Sequence, residues 1–251
     1  MALGGANMSE GKNGIFNAGF ALAVAIVLAS IIGAWAYTRN KANEQTITVT
    51  GSARKRIKSD LVVWTATVTY SAPELSGAYT ALRERVPRVR QYLISKGVPA
   101  EQIVVSSVTT STQRSRDENG QETGAVTGYT MSQTIEVRST DVEKITRISR
   151  EVTELIDQGI LLESSAPQYL YTKLGDLKIE MLAEAAKDAK ARATQIASST
   201  GSTVGSVRSA RMGVMQITAA DSNDVSDSGM NDTSSLEKDI TAVVNVSFAV
   251  D

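Results

Sequence analysis

The chain contains neither cysteine nor histidine. From its own residues it therefore builds no disulfide, thiol nucleophile, zinc finger, haem-ligating imidazole or Ser-His-Asp triad. It also lacks an excess of either charge. Its 26 Lys+Arg stand against 27 Asp+Glu, a formal charge of −1, whereas a dedicated nucleic-acid binder carries a strongly basic domain. The missing cysteine fits a cytosolic chain and an exported one equally. What is present is 251 residues with 42% apolar content, enough for one large core or two small ones.

One run carries no charge at all: IFNAGFALAVAIVLASIIGAWAY, from Ile15 to Tyr37. At about 1.5 Å per residue it is about 35 Å long, enough to cross a hydrocarbon core of roughly 30 Å. Ile15, Phe20, Val24, Val27 and Ile31 are its membrane-spanning candidates, and Trp35 and Tyr37 sit where aromatic rings favour the lipid–water interface. The expected organisation is a cytoplasmic tail at 1–14, a single transmembrane helix or signal-anchor at 15–37, a linker at 38–44 and the main domain at 45–251. Ala34-Trp35-Ala36 offers a cleavage site, but the run exceeds the roughly 7–15 residues of a signal h-region. A retained anchor is the expectation, with release to the periplasm after cleavage as the alternative. Lys12 before the run and Arg39 and Lys41 after it leave orientation open, because long domains translocate largely regardless of charge.

Beyond Ala42 the chain alternates short, well-marked elements. ITVTGSARKRIKSD and LVVWTATVTY read as two strand segments meeting at a bulge or bend near Ser59-Asp60. Leu75, Ala78, Leu82, Val86, Val89 and Leu93 recur at helical spacing, Gly97 is a stop, and Pro87 predicts a kink. Two strands then flank the turn signal Asn119-Gly120. A second amphipathic helix is expected over 141–159, with Asp141 as N-cap and Val142, Ile145, Ile148, Val152 and Ile156 on its apolar side. A strand, an alanine-rich helix over 176–201 and two closing strands follow. Residues 219–235, polar and rich in small side chains, read as a long mobile loop.

Few residues point to chemistry. Arg54, Lys55, Arg56 and Lys58 crowd five positions. They lack the interleaved aromatics of a nucleic-acid site. With Arg39 and Lys41 they are candidate lipid-headgroup contacts, or else the solvated face of a strand whose charges discourage stray pairing. Asp221, Asn223, Asp224 and Asp227 hint at a calcium loop, but Val225 and the residue at 226, which is not glycine, break the pattern. Gly11–Gly14, GKNG, is no P-loop. Glu180, Glu184 and Asp188 share a helix face with Lys187, Lys190 and Arg192, the pattern of an ion-paired surface rather than an acid–base pair. No catalytic, cofactor-binding or metal residue is assigned.

Several phrases taken in order resemble the SIMPL-domain family, named for a signalling molecule associated with a pelle-like kinase. They are ITVTGSARKRIKSD with LVVWTATVTY, LISKGVPAEQIVVSS, GYTMSQTIEVRSTDVEKITRISREVTELIDQGI, AAKDAKARATQIASSTGSTVGSVRSAR and AVVNVSFAV, covering about residues 45–250. The resemblance implies an α+β domain of β-α-β-β-type halves with antiparallel sheet and amphipathic helices, without recognised catalytic residues or cofactor. It implies export to the periplasm or cell surface, self-assembly into ring- or cage-like oligomers, and roles in envelope maintenance, stress protection or signalling. The long leader and the acidic loop at 219–235 depart from the family pattern. It also aligns the basic cluster with the first strand, which favours the solvent-face reading over nucleic acid. The combined expectation is a non-enzymatic, membrane-anchored, extracytoplasmic protein whose partners are itself and the lipid bilayer. A membrane-tethered binding or adaptor module for a small molecule or peptide is the alternative.

Overall fold

In a computed structural model, residue 20, residues 22–35 and residues 45–250 are described. Residues 22–35 are helical, and among the described residues no helix is long and apolar enough to cross a membrane. The expected span reaches beyond this stretch: Ile15 and Tyr37, like Arg39 and Lys41, lie outside the described residues.

The remaining elements, in order, are β1 (Thr46–Lys58), β2 (Leu61–Ala72), α1 (Leu75–Ser95), β3 (Ile103–Val105), β4 (Thr109–Arg116), β5 (Glu122–Ser139), α2 (Val142–Glu151), β6 (Leu162–Ser164), β7 (Gln168–Leu170), α3 (Leu174–Ser199), β8 (Val204–Met212), β9 (Gln216–Ala219), β10 (Met230–Asn231) and β11 (Glu237–Val250). This is the expected mixture of helices and antiparallel sheet. The chain falls into two units, one of Ser52–Ala185 with Gly213–Val243, the other of Met1–Gly51, Ala186–Met212 and Val244–Asp251.

The first of these is organised by β2 and β5, antiparallel from Val62 opposite Ser139 to Ala72 opposite Tyr129. Around this pair the sheet runs β3–β5–β2–β6, with β4 also on β5 and β7 also on β2. Strand alternation sends Val62, Trp64, Ala66 and Val68 inward with Met131, Ile135 and Val137. They meet Ala78, Leu82, Val86, Val89 and Leu93 of α1 and Val142, Ile145 and Ile148 of α2 in one core. Each Val, Leu, Ile or Met among them contributes about 1.5–3 kcal/mol when fully buried. Trp64 is 1% exposed, and its indole N–H donates to Ser164 Oγ at 3.0 Å, which in turn donates to the Ser149 carbonyl at 2.7 Å. The chain thereby buries a large aromatic without stranding its polar atom.

Local signals account for most boundaries. Gly97 and Gly159 follow helical segments with φ of 84° and 77°, and Gly120 closes the β4–β5 turn with φ of 79°, a backbone region glycine enters without Cβ cost. Asp141 caps α2 by accepting from the Lys144 N–H. Pro87 lies inside α1, which continues unbroken to Ser95. The second helix departs from expectation: α2 ends at Glu151 and tightens into a 3-10 turn over Val152–Ile156. Three residues per turn place Leu155, not Ile156, under Val152; Leu155 is 2% exposed and Ile156 48%.

The second unit pairs the end of β11 with β8, Val244 opposite Met212 through Val250 opposite Val204. The start of β1 lies along β11, where Thr48 and Ser247 hydroxyls bond at 2.8 Å and the Val250 N–H donates to the Gln45 carbonyl at 3.1 Å. Ala189, Ala193 and Ala197 of α3 are buried here, a four-residue period that gives the helix one narrow, small-residue face. Strands β1 and β11 and helix α3 each continue into the larger unit, where β11 meets β9 antiparallel and β9 meets β10 parallel.

Segment 219–235 is not a bare loop. It carries β10, the Tyr169 N–H donates to the Thr233 carbonyl at 2.7 Å, and Gln216 Nε2 donates to the Ser226 carbonyl at 2.7 Å. Gly229, at φ 88°, sits where a Cβ would lie 2.7 Å from Val214 Cγ1. Backbone bonds and close packing hold a stretch whose composition alone reads as mobile.

Candidate functional site

A dense polar cluster lies where β11 begins, and Arg54 and Arg56 of β1 converge on it. Along β11 the even-numbered residues Ile240 and Ala242 are buried, so neighbours 238 and 239 point to opposite faces. Both are charged, and both are buried.

Asp239 is the hub of one face. Its side chain is 3% exposed. Arg54 Nη2 donates to Oδ2 at 2.6 Å, Arg56 Nε to Oδ1 at 3.1 Å, Arg56 Nη2 to Oδ2 at 3.2 Å, and the Asp221 backbone N–H to Oδ2 at 2.9 Å. Arg56 also pairs with the Asp221 carboxylate. The Arg56 hydrogen bonds hold Asp239 well below the usual carboxylate range, against the opposing effect of burial and with help from the Asp221 N–H and Arg54. In return, Asp239 and then Asp221 raise the Arg56 guanidinium above its ordinary value. Donors in this number favour the ionised carboxylate, which acts here as a fastener between strands.

Lys238 is the hub of the other face. It is 2% exposed, and its Nζ donates to the Tyr169 carbonyl at 2.5 Å and to the Asp232 carbonyl. Burial pushes its pKa down, opposed by the Asp232 charge. Burial pushes Asp232 up, but hydrogen bonds from Ser234 and Ser235 and the Lys238 charge outweigh it and hold the carboxyl low. Lys238 thus joins β7 to the segment before β11.

The other two basic residues of β1 are paired separately. Lys55 donates to Glu180 of α3 at 2.6 Å, and Lys58 to Glu143 of α2 at 2.8 Å. The Lys58–Glu143 hydrogen bond raises the amine and lowers the carboxyl. The four cations expected on a solvent face each hold a carboxylate of the chain, and two of them share one.

The remaining candidates do not converge. Asp188 pairs with Arg192 at 2.8 Å, Asp221 is held by Arg56, and Asp224 accepts from Ser222 Oγ at 2.8 Å. Among the described residues no three carboxylates are grouped as a metal position. Phe20, Val24, Val27, Ile31 and Trp35 all lie on the N-terminal helical stretch with exposed side chains, Phe20 70% and Trp35 59%. A depression beside Tyr70, Gly77, Thr80 and Arg85 is open, with the Arg85 guanidinium 4.5 Å from the Tyr70 ring centroid.

Sequence reasoning misses Lys238 and Asp239. A signal for Lys238 exists, since a lysine stands in register with Ile240, Ala242, Val244, Val246 and Phe248, the inward parity of an apolar strand.

The buried polar groups described above tie β1, β7 and β11 to their neighbours, and the chain is of the α+β class with antiparallel sheets. The SIMPL family model, described as a protein of unknown function (DUF541), matches residues 47–248, and the chain belongs to that family. Comparison with curated proteins finds no match.

Proposed function

We propose that this chain is a non-enzymatic, membrane-anchored SIMPL protein. Its domain faces the extracytoplasmic side and self-assembles into a ring- or cage-like homo-oligomer serving envelope maintenance or stress protection. The observation that carries the reading is the set of open strand edges: among the described residues, β4 pairs only with β5 and β8 only with β11. Both strands are exposed along nearly their whole length. A strand edge without a neighbouring strand presents backbone groups that closed symmetry satisfies. The uncharged run from Ile15 to Tyr37 supports a bilayer anchor.

The test is the mass of the full chain, extracted from membranes in mild detergent, by light scattering and single-particle electron microscopy. A symmetric particle of several subunits is expected, and a lone monomer overturns the assembly. Recovery of the chain in the soluble fraction after carbonate washing overturns the anchor.

A further inference from the structure

The β4–β5 hairpin outruns the sheet that supports it. Strand β2 stops opposite Tyr129, so beyond that point β5 has β4 as its only strand neighbour among the described residues. From Gln113 to Arg116 and from Glu122 to Thr127 nearly every residue is exposed, on both faces of the ribbon. Two strands with no buried face are marginal in water. The ladder of this arm slips in register twice, after Gln113 and again before Arg116, yet its turn is closed by specific bonds. The Asp117 carboxylate accepts from the Asn119 and Gln121 N–H groups, both at 2.9 Å, Gly120 supplies the positive φ, and Ser115 and Thr123 hydroxyls bond across the ladder. A two-sided, exposed ribbon held out from its core offers the outer edge of β4 to a further strand.

The free edges differ in how they are guarded. β1 carries Arg54, Lys55, Arg56 and Lys58, the kind of charge that blocks edge-to-edge pairing. The first five residues of β4, Thr109-Thr110-Ser111-Thr112-Gln113, carry no charge, and three are β-branched. They are regular against β5, and the ladder's first irregularity falls after Gln113.

Resting on the assembly reading above, we propose that β4 pairs antiparallel with β4 of a second copy of this chain across a two-fold axis at Thr112. The result is a continuous β5–β4–β4–β5 ribbon between subunits. An axis perpendicular to the sheet keeps each side chain on its own face, so a residue sits on the axis and pairs with itself. Centring on Thr112 pairs seven residues of the strand. Thr112 faces Thr112, Ser111 faces Gln113, Thr110 faces Arg114 and Thr109 faces Ser115, so no like charges stand directly opposite. The occupant is a second copy because the strand is self-complementary in this register and the interface isologous.

The absence of cysteine makes the test clean. In the full chain in mild detergent, Thr112→Cys introduces the sole thiol. Opposed Cα atoms in an antiparallel ladder lie about 4.5–5.5 Å apart, within disulfide reach. Mild oxidation is expected to convert most of Thr112→Cys to a covalent dimer. Thr109→Cys, about 20 Å from its mate in this register, is expected to stay uncrosslinked. Thr112→Lys, at an exposed position, is expected to keep the far-ultraviolet spectrum and at least halve the particle mass. A wild-type assembly with no Thr112→Cys crosslink and full mass in Thr112→Lys overturns the arm and leaves the assembly reading standing. Crosslinking through Thr109→Cys instead overturns the two-fold at Thr112. A wild-type monomer overturns both readings.

Discussion

Replacing Asp239 with asparagine tests whether one carboxylate fastens β1 to β11. The side chain is 3% exposed and accepts four hydrogen bonds, three of them from guanidinium groups. Asparagine keeps one oxygen and turns an amide N–H₂ toward donors that need an acceptor. Hydrogen bonds to charged groups contribute about 1.5–3 kcal/mol each, and stripping one partner from a fully buried pair costs about 3–5 kcal/mol. Arg54 and Arg56 are 46% and 47% exposed, so water takes up part of their loss. The expected cost is about 2–4 kcal/mol, or roughly 4–16 °C in Tm for a domain of this size.

Urea unfolding followed by circular dichroism at pH 7 measures the cost, and a pH series identifies its origin. Asp239 is held below its unfolded value, so its contribution is fully present above about pH 4 and fades as pH falls through the folded value. The gap between wild type and Asp239→Asn should therefore close in acid. A loss under about 1 kcal/mol at pH 7, or a gap that does not change with pH, refutes the hub.

Two further substitutions probe the core and the segment before β11. Leu82, 1% exposed between α1 and the β2–β5 sheet, should lose about 3–5 kcal/mol on Leu82→Ala, read from the urea midpoint without a change in slope. Gly229→Ala adds a Cβ 2.7 Å from Val214 Cγ1 at a φ of 88°, whereas Gly97→Ala, at φ 84°, meets nothing within 4 Å. The second should lose about 1–2 kcal/mol and the first clearly more, measured as paired melting curves.

The fold was legible where local chemistry decides it. Helix α1 follows from the spacing of Leu82, Val86, Val89 and Leu93, the β4–β5 turn from Asn119-Gly120, and the start of α2 from Asp141. Each signal lies within a few residues of its effect. The end of α2 was not legible, because the change from four-residue to three-residue spacing after Glu151 leaves Leu155 and Ile156 equally plausible on paper. The contacts of segment 219–235 were not legible for a related reason. Its ties run to Tyr169, Gln216 and Glu237, partners that composition within the segment does not name.

The cluster at β11 shows the same boundary in electrostatic form. Four basic residues on β1 read as a patch because sequence displays their charge and hides their partners. Asp239 lies 185 residues from Arg54, Glu180 lies 125 from Lys55, and Glu143 lies 85 from Lys58. A chain with nearly equal numbers of cations and anions has enough carboxylates to neutralise any local run of one sign, and the fold decides which ones do. The functional consequence is a shift of attention. Once Arg54, Lys55, Arg56 and Lys58 are engaged within the chain, the edge they guard is the one least suited to recruit a partner. The first five residues of β4, Thr109 to Gln113, carry no charge and no motif, and in the proposal above they are the edge that takes a second copy.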